Sequence, residues 1–204
     1  MSVLCWRAFR RRVAAAILVL RGTLAVPLPT DGNIIAAYAD WGECDVEMVE
    51  AARNGANVLI WFAINLRGVA RAGGEDEDAV PEIQGGPDLA CVARVKNQLA
   101  EEGLPTTHLI SVGGWDAPHP DTRWSGAEWL RVFDAWNMRA AVGNAGSGKD
   151  DSRLFDGFDW DLEGNDNTES ESNLFTVECL ELVGQMSAAA VAAGYNVTMC
   201  PPQS

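Results

Sequence analysis

Apolar runs and segments with helical spacing alternate along this chain of 204 residues. The run Val58–Leu66 is nearly continuous, which is typical of a strand that is buried on both faces. Between residues 129 and 136, large apolar residues recur at the spacing of one helix face. The pattern predicts strands at Ile34–Asp40, Val58–Leu66, His108–Ser111, Phe155–Glu163 and Asn196–Cys200, and helices at about 45–54, Pro87–Glu102, Ser125–Val142 and Ser170–Ala193.

This order is a βα unit that repeats four times and is followed by a fifth strand. It predicts an α/β fold in which helices connect the strands of a parallel sheet. Two architectures fit the order: an open doubly wound sheet and a (β/α)8 barrel, the TIM barrel. Residues 67–86, which are rich in Gly and acids, are predicted to form a loop.

The segment Phe155–Glu163 favours one of these architectures. Its acids alternate with large apolar residues, and successive side chains of a strand point to opposite faces. In an open sheet both faces pack under helices, whereas a barrel strand turns one face inward and its carboxyl end opens onto the active face. We therefore favour the barrel, with Glu163 at the mouth. The acids of the inner face are Asp159, Asp161 and Glu163, and the outer face carries Phe158, Trp160 and Leu162.

The row of acids allows three interpretations. A metal site fits poorly, because the outer two acids of a straight strand are ~13 Å apart and cannot share one ion. A chance alternation on an exposed edge strand fits poorly too, because the opposite face is strongly apolar. General acid/base chemistry remains, since neighbouring carboxylates raise the pKa of one another and a raised acid can protonate a leaving group. No metal and no cofactor are predicted.

The net charge of the chain restricts the classes of molecule that it is expected to bind. The net charge is −14 and the isoelectric point is about 4.4. Nucleic acid is therefore not an expected partner, because phosphate binding needs a basic surface. A neutral substrate such as a sugar is compatible with this charge.

The first 25 residues differ from the rest of the chain. Four arginines precede the apolar run Val13–Leu20, and Thr23 and Ala25 are small residues at the −3 and −1 positions of a cleavage site. This pattern predicts a secretory signal peptide at 1–25, a mature domain at 26–204, and a secreted, extracellular or vacuolar protein. An organelle-targeting peptide is the alternative. Stable membrane insertion is not expected, because a spanning helix needs ~20 apolar residues.

Four cysteines follow the predicted leader. In an exported chain they permit two disulfides with three possible connectivities, and buried free thiols are the alternative. Their spacing matches no metal-binding motif. The four are Cys44, Cys91, Cys179 and Cys200.

Several motifs together resemble glycoside hydrolase family 18, the chitinases and related endo-β-N-acetylglucosaminidases. The segment Asp156–Glu163, read DGFDWDLE, resembles the family signature DGxDxDxE and matches all four of its acids. Ser111–Gly114 resembles the SxGG motif at the end of the third strand. Tyr38 corresponds to an aromatic residue of the first strand, and Thr198–Gln203 is similar to the fifth-strand segment that reads close to T-x-A-P. The resemblance covers about residues 34–204.

The resemblance implies hydrolysis of β-1,4-linked N-acetylglucosamine, in chitin or related glycans, with retention of configuration. Glu163 would protonate the glycosidic oxygen and later act as the base for water. The acetamido oxygen of the substrate would be the nucleophile, an exception to the scheme with two enzyme carboxylates. Asp161 would hold the acetamide N–H and share a proton with Glu163. Asp159 would act on Asp161 from below.

Further residues are predicted to support the site. Asp156 falls on the opposite strand face from the other three acids. It is expected at the start of the strand, where it hydrogen-bonds the backbone. Ser111 is expected to hydrogen-bond Asp159. The sequence leaves sugar contact or plain packing open for the tryptophans that follow the first and third strands. The supporting set is Asp156, Tyr38, Ser111, Gly113, Gly114, Trp115 and Trp41.

The chain also departs from the family pattern. A complete barrel takes ~250 residues, whereas only five strands are predicted here. The family's sixth-strand tyrosine and eighth-strand tryptophan have no counterpart, so the domain is predicted to be truncated at its carboxyl end and weak in activity by itself. A chitinase-like lectin that binds without cleaving is the alternative, although Glu163 is present. A metal-binding α/β domain is a third hypothesis, and chelator sensitivity would identify it.

Overall fold

A computed structural model describes residues 25–30, 32–41, 47–70, 78–144 and 153–200. In these ranges the strands are β1 (Ala36–Tyr38), β2 (Val58–Val69), β3 (Val80–Gly85), β4 (Thr107–Gly114), β5 (Gly157–Leu162) and β6 (Asn196–Met199). The helices are α1 (Glu47–Arg53), α2 (Leu89–Glu101), α3 (Gly126–Asn144) and α4 (Val177–Ala192), with a 3-10 turn at Glu171–Asn173.

Five parallel strands form the sheet in the order β1-β2-β4-β5-β6. Every predicted strand is present, and the predicted α/β fold with a parallel sheet is confirmed. The order follows the sequence, as expected when each helix returns the chain to the next strand on the same side. The sheet is open, because β1 and β6 do not pair with each other within the described ranges.

The predicted loop at 67–86 is wrong in part. β2 continues to Val69, and β3 returns antiparallel beside it, with Ile64 opposite Gly85 and Val69 opposite Val80. The Gly and acidic residues that led to the loop prediction lie in the sequence between these two strands. Pairing supplies the hydrogen bonds that make the flanking residues extended, and the local sequence did not reveal that partner.

The predicted start of the last helix is also wrong. The helix begins at Val177 rather than at Ser170, and Thr176 is its N-cap, whose side chain accepts a hydrogen bond from the backbone N–H of Cys179. A hydroxyl acceptor at this position satisfies one of the free N–H groups of the first turn. The preceding residues form the 3-10 turn, so the predicted helix contained two elements.

The helices cover one face of the sheet. On β5 that face carries Phe158 and Trp160, both buried. The indole Nε1 of Trp160 donates to Ser187 Oγ on α4 at 2.9 Å, which confirms that this tryptophan faces the helices. Phe158 contacts the ring of Phe133 on α3 edge to face. The apolar side chains on this face of β5 therefore form part of the core between the sheet and the helices.

The other face of the sheet is concave. β1 and β5 are three strand spacings apart, which is roughly 14 Å along the sheet. The hydroxyl of Tyr38 on β1 nevertheless donates to Asp159 Oδ2 on β5 at 3.1 Å. Only a sheet that curls around this face brings the two side chains into contact, as in part of a barrel wall.

The amino ends of the strands are covered by residues 25–30. Leu28 packs on the buried inner-face residues Val58, Ile60 and Leu109. Its backbone N–H donates to Asn196 Oδ1 at 3.3 Å. This segment closes the concave face at the end opposite to Glu163.

Apolar side chains are exposed along both edges of the sheet and on the neighbouring face of α4. Exposed apolar side chains at the edges of an open sheet are typical of a surface that packs against another element or chain. The exposed residues are Ile34, Ile35, Tyr38 and Trp41 near β1, and Leu174, Val177, Leu180 and Met199 near β6. Within the described ranges no helix has both the length and the apolar composition that crossing a membrane requires.

The cysteines follow neither predicted alternative. Cys91 is disulfide-bonded, whereas Cys179 and Cys200 are free thiols. The four cysteines that follow the predicted leader therefore do not form two disulfides, and they are not all free thiols. Cys44 lies outside the described residues.

Candidate active site

The predicted row of acids lies on the concave face of β5. Asp159 and Asp161 are buried, at 1% and 2% exposure, and Glu163 follows the end of the strand with a partly exposed side chain. The three acids therefore run from the interior of the sheet to its carboxyl end, in the predicted direction. Parallel strands with one concave face account for the arrangement, because that face is not covered by helices.

Asp159 is held between the two edges of the sheet. Tyr38 Oη donates to its Oδ2, and Thr198 Oγ1 on β6 donates to its Oδ1. Burial raises the pKa of Asp159, and these two hydrogen bonds oppose the rise because they stabilise the carboxylate. Burial and the charge of Asp159 also raise the pKa of Tyr38. The hydroxyl therefore stays protonated as a donor to this acid.

Asp161, at the carboxyl end of β5, lies close enough to Glu163 for the two charges to interact. Burial raises the pKa of Asp161 to about 6, and the charges of Glu163 and then Asp159 add to the rise. Because its pKa is raised, Asp161 keeps a proton at pH values where an ordinary aspartate has lost it. The arrangement supplies an acid that can donate a proton at the mouth of the site.

Cys200 is a site residue that the sequence did not single out. Its thiol lies close to Asp161, and this contact opposes the rise in the pKa of that acid. The thiol also lies close to Tyr38, whose hydroxyl proton is donated to Asp159. Its own pKa is raised, first by burial and then by the nearby charges of Asp161 and Asp159, which keeps it a neutral donor.

Two glycines on β4 give the acids their space. Gly113 lies beside Asp161 in the sheet register and has a φ of 108°. A Cβ on Gly113 would lie 2.4 Å from the carbonyl oxygen of Asp161, and a Cβ on Gly114 would lie 2.8 Å from the indole of Trp41. Neither position tolerates a side chain, because both have a positive φ and a close neighbour.

The hydrogen bond expected between Ser111 and Asp159 is not formed. The two residues are neighbours in the β4–β5 register, so Ser111 does lie beside the deep acid. Its Oγ is buried and has no hydrogen-bond partner. Thr198, in register with Asp159 on the other neighbouring strand β6, and Tyr38 from β1 bind the Asp159 oxygens instead.

Asp156 lies away from the other three acids, at the amino end of β5. Its carboxylate accepts from the backbone N–H groups of His108, at 2.9 Å, and Val26, at 3.0 Å. Lys96 Nζ on α2 lies 3.1 Å from both carboxylate oxygens. The predicted backbone hydrogen bonds of Asp156 are thus present, and its position indicates a structural part in the fold.

Two indoles flank the mouth of the site. Trp41 and Trp115 follow the carboxyl ends of β1 and β4 and are more than half exposed. A polar cavity of about 290 Å³ lies beside Glu163, with Trp115 and Asn165 in its wall. An exposed indole beside a polar cavity is a surface on which a pyranose ring can stack.

The loop after Glu163 is fixed by side chains that the sequence did not identify as part of the site. Asn165 Nδ2 donates to Asp116 Oδ1 and to Ser170 Oγ, which joins the loops after β4 and β5. Ser172 Oγ donates to the same Asp116 oxygen at 2.9 Å. Asn and Ser in a loop are common, so only their three-dimensional contacts reveal this function.

No metal centre is present in the described ranges, where no group of three or more His, Cys, Asp or Glu side chains is arranged to hold an ion. The described acids are instead paired with tyrosine, threonine, lysine and backbone donors.

Asp161→Asn should change the pH dependence of stability. The folded-state pKa of Asp161 is about 6, against an ordinary value of 3.8. The folded chain therefore holds more protons than the unfolded chain between these values, and stability is lost as pH rises from about 4 through about 6. The variant lacks this loss, so it should gain about 1–2 kcal/mol over the parent between pH 4 and pH 7, after allowance for solvent screening at the open face.

Urea unfolding of both chains at pH 4 and pH 7 measures this gain. Glu181→Gln, on the exposed side of α4, is the matched control and should show no such change. An equal free-energy difference between parent and Asp161→Asn at the two pH values would contradict a raised pKa at Asp161.

Comparisons with known proteins give a likeness of fold. No protein-family model and no curated protein matches the chain. The chitinase domain of the spore coat protein CotE from Clostridium difficile is similar in structure, with a TM-score of 0.50 and 12% identity over 84% of this chain. The Ostrinia furnacalis Group IV chitinase, alone and with allosamidin, is similar with a TM-score of 0.45 and 14% identity over 82% of this chain.

The chain spans less than half of these structures, 42% of the CotE domain and 43% of the insect enzyme. At 12% identity the likeness extends to the fold alone. The described chain thus has an α/β fold similar to that of a chitinase domain, with helices outside an open parallel sheet and the acids on its concave face.

Proposed function

We propose that this chain carries the acid machinery of a glycosidase of family 18, which hydrolyses β-1,4-linked N-acetylglucosamine with retention of configuration. The observation that carries the proposal is the row of three acids on the concave face of β5, in which Asp159 and Asp161 are buried and Glu163 lies at the carboxyl end. Burial raises the pKa of Asp161 to about 6, so this acid can hold a proton next to Glu163 at the mouth of the concave face. The DGxDxDxE resemblance supports the same acid roles.

In the proposed reaction, Glu163 gives its proton to the glycosidic oxygen as the bond to the anomeric carbon breaks. The acetamido oxygen of the same sugar attacks that carbon, and a cyclic oxazolinium intermediate forms. Asp161, ionised at this stage, accepts the acetamide N–H and stabilises the developing positive charge. Glu163 then removes a proton from water, which opens the ring and restores the starting state of the enzyme.

Asp159 and its donors support this step from below. The hydrogen bonds from Tyr38 and Thr198 fix Asp159 under Asp161. Its negative charge raises the pKa of Asp161 and so favours a proton shared with Glu163. The buried carboxylate thus acts through Asp161 and not on the sugar.

The substrate class follows from the nucleophile. A sugar without the 2-acetamido group has no internal nucleophile. The enzyme carboxylate beside Glu163 is Asp161, which in the proposed reaction binds the acetamide N–H and does not attack the sugar. We expect hydrolysis of chitin oligosaccharides and none of cello-oligosaccharides or fully deacetylated chitosan of the same length. ¹H NMR at early times should show the β-anomer first. Equal rates on acetylated and deacetylated oligosaccharides, or an α-anomer first, would contradict the proposed mechanism.

A binding protein without turnover is the second candidate. The exposed indole of Trp115 favours it, because a stacking face beside a polar cavity suffices for a lectin, and Trp41 offers a second exposed indole at the same end of the sheet. Both candidates place N-acetylglucosamine oligosaccharides in the same cleft. They differ in the need for Glu163.

A further inference from the structure

The backbone of Val26 contacts the buried carboxylate of Asp156 at the amino end of the sheet. The backbone nitrogen of Val26 donates to Asp156 Oδ1 at 3.0 Å, and Asp156 is 3% exposed. The carbonyl of Val26 accepts from Asn196 Nδ2 at 2.7 Å. Two hydrogen bonds to two different strands therefore fix the position of this residue independently of the chain before it.

The predicted leader ends one residue earlier. Thr23 and Ala25 provide the small side chains that a leader peptidase needs at the −3 and −1 positions. We propose that the Ala25–Val26 bond is the processing site of this protein, and that the α-ammonium group released on Val26 forms a buried ion pair with Asp156. Water cleaves the amide bond, Ala25 keeps the new carboxylate, and Val26 keeps the new amine.

Asp156 already has one cationic partner, and the Val26 amine would share the carboxylate with it through the same oxygen, Oδ1. Lys96 Nζ reaches the carboxylate from α2, and it also donates to the carbonyl of Leu154 at 2.9 Å. The backbone N–H of His108 binds the other oxygen, Oδ2. The His108 ring is buried and bonded to Trp61 and Thr106, and burial together with the charge of Lys96 lowers its pKa, so it adds no charge here.

Cleavage strengthens the contact without moving it. An amide nitrogen offers one neutral donor, whereas an ammonium group offers a full charge and three donors, and charge-assisted hydrogen bonds are about twice as strong as neutral ones. The bond from Asn196 Nδ2 to the Val26 carbonyl does not depend on cleavage. The same bond engages Asn196 in the sequon Asn196-Val-Thr198, so this asparagine is not a free glycan acceptor.

The cleavage site is tested by expressing the full chain in a secretory host and measuring the intact mass and the N-terminal sequence of the secreted protein. The expected product begins at Val26 and has 204 − 25 = 179 residues. A product that retains the leader, or that begins at any other residue, would overturn the proposal.

The ion pair is tested with a secreted form that carries Gly-Ser between the cleavage site and Val26, which leaves an amide at this nitrogen. Thermal unfolding at pH 6.5 should show a Tm about 2–4 °C lower for the extended form than for the form that begins at Val26. The gap should shrink as the pH rises above about 8, where an α-amino group loses its charge. Equal Tm values, or a gap that persists unchanged at pH 10, would overturn the ion pair.

Asp156→Asn in both forms completes the test, because it should abolish the gap. If this variant fails to fold, selective acetylation of the Val26 amine replaces it, and the same lowering of Tm is expected. A gap that survives in Asp156→Asn, or no effect of acetylation, would overturn the proposal. Neither result bears on the acids of the proposed active site, which lie at the opposite end of β5.

Discussion

Glu163→Gln is expected to abolish most hydrolysis of chitin oligosaccharides while leaving their binding intact. A general acid contributes about 10²–10⁴-fold to rate, so kcat should fall by that factor or to background. The amide keeps the size of the carboxyl group and a donor toward Asp161, but it has no acidic proton for the glycosidic oxygen. Single-turnover hydrolysis of a labelled oligosaccharide measures the rate, and calorimetry measures the dissociation constant of an uncleaved oligosaccharide.

The matched control is Glu169→Gln, an exposed acid in the loop that follows the site. It removes the same charge nearby and should leave both rate and affinity within about twofold, since an exposed charge is screened by solvent. If Glu163→Gln lost affinity and rate in equal proportion, the residue would be a binding group and not the acid. If parent and variant bound the oligosaccharide equally and neither hydrolysed it, the lectin would be the better description.

Asp156→Ala is expected to lower the free energy of unfolding by about 3 kcal/mol, the largest stability loss among the signature acids. Removal of one partner of a buried ion pair leaves the other charge uncompensated, which costs about 3–5 kcal/mol. The lower end applies because the Lys96 side chain keeps 24% of its surface exposed. The backbone N–H groups of His108 and Val26 also lose their acceptor.

Urea unfolding at pH 7 measures the loss, and the double variant Asp156→Ala with Lys96→Met supplies the comparison. Replacement of both charges removes the uncompensated cation, so the double variant should recover part of the stability. Any Asp156→Ala protein that remains folded should keep the raised pKa of Asp161, because the two acids lie at opposite ends of β5. An unchanged midpoint in Asp156→Ala would show that the Lys96 contact contributes nothing.

The strands of the sheet could be predicted because their apolar patterns are local. Val58–Leu66 was identified from its composition alone, and it forms most of β2. The alternation in Phe155–Glu163 correctly assigned each side chain to a face, because the period of a strand is fixed at two residues. Failures occurred where a partner decides the conformation. β3 is extended because it pairs with β2, and nothing in Val80–Gly85 alone required that.

The candidate active site also contains residues that the local sequence pattern predicted and contacts that only the folded structure reveals. Asp159, Asp161 and Glu163 were found from spacing, and their order along the strand holds in the structure. The partners of Asp159 could not be derived from spacing, because Tyr38 and Thr198 come from strands that are distant in sequence. Ser111 and Thr198 both lie beside Asp159 in the sheet register, and only the structure shows that Thr198 forms the hydrogen bond and Ser111 does not.

By itself, the sequence determined the βα order, the two faces of β5 and the direction of the acid row, since these follow from periods of a few residues. The tertiary structure decided how far the sheet curls, and with it which groups meet across the concave face. It placed Asp156 at the far end with Lys96 and Val26, although one short motif contains all four acids. The reason is physical: a strand fixes neighbours every two residues, whereas contacts across strands depend on the packing of the whole sheet.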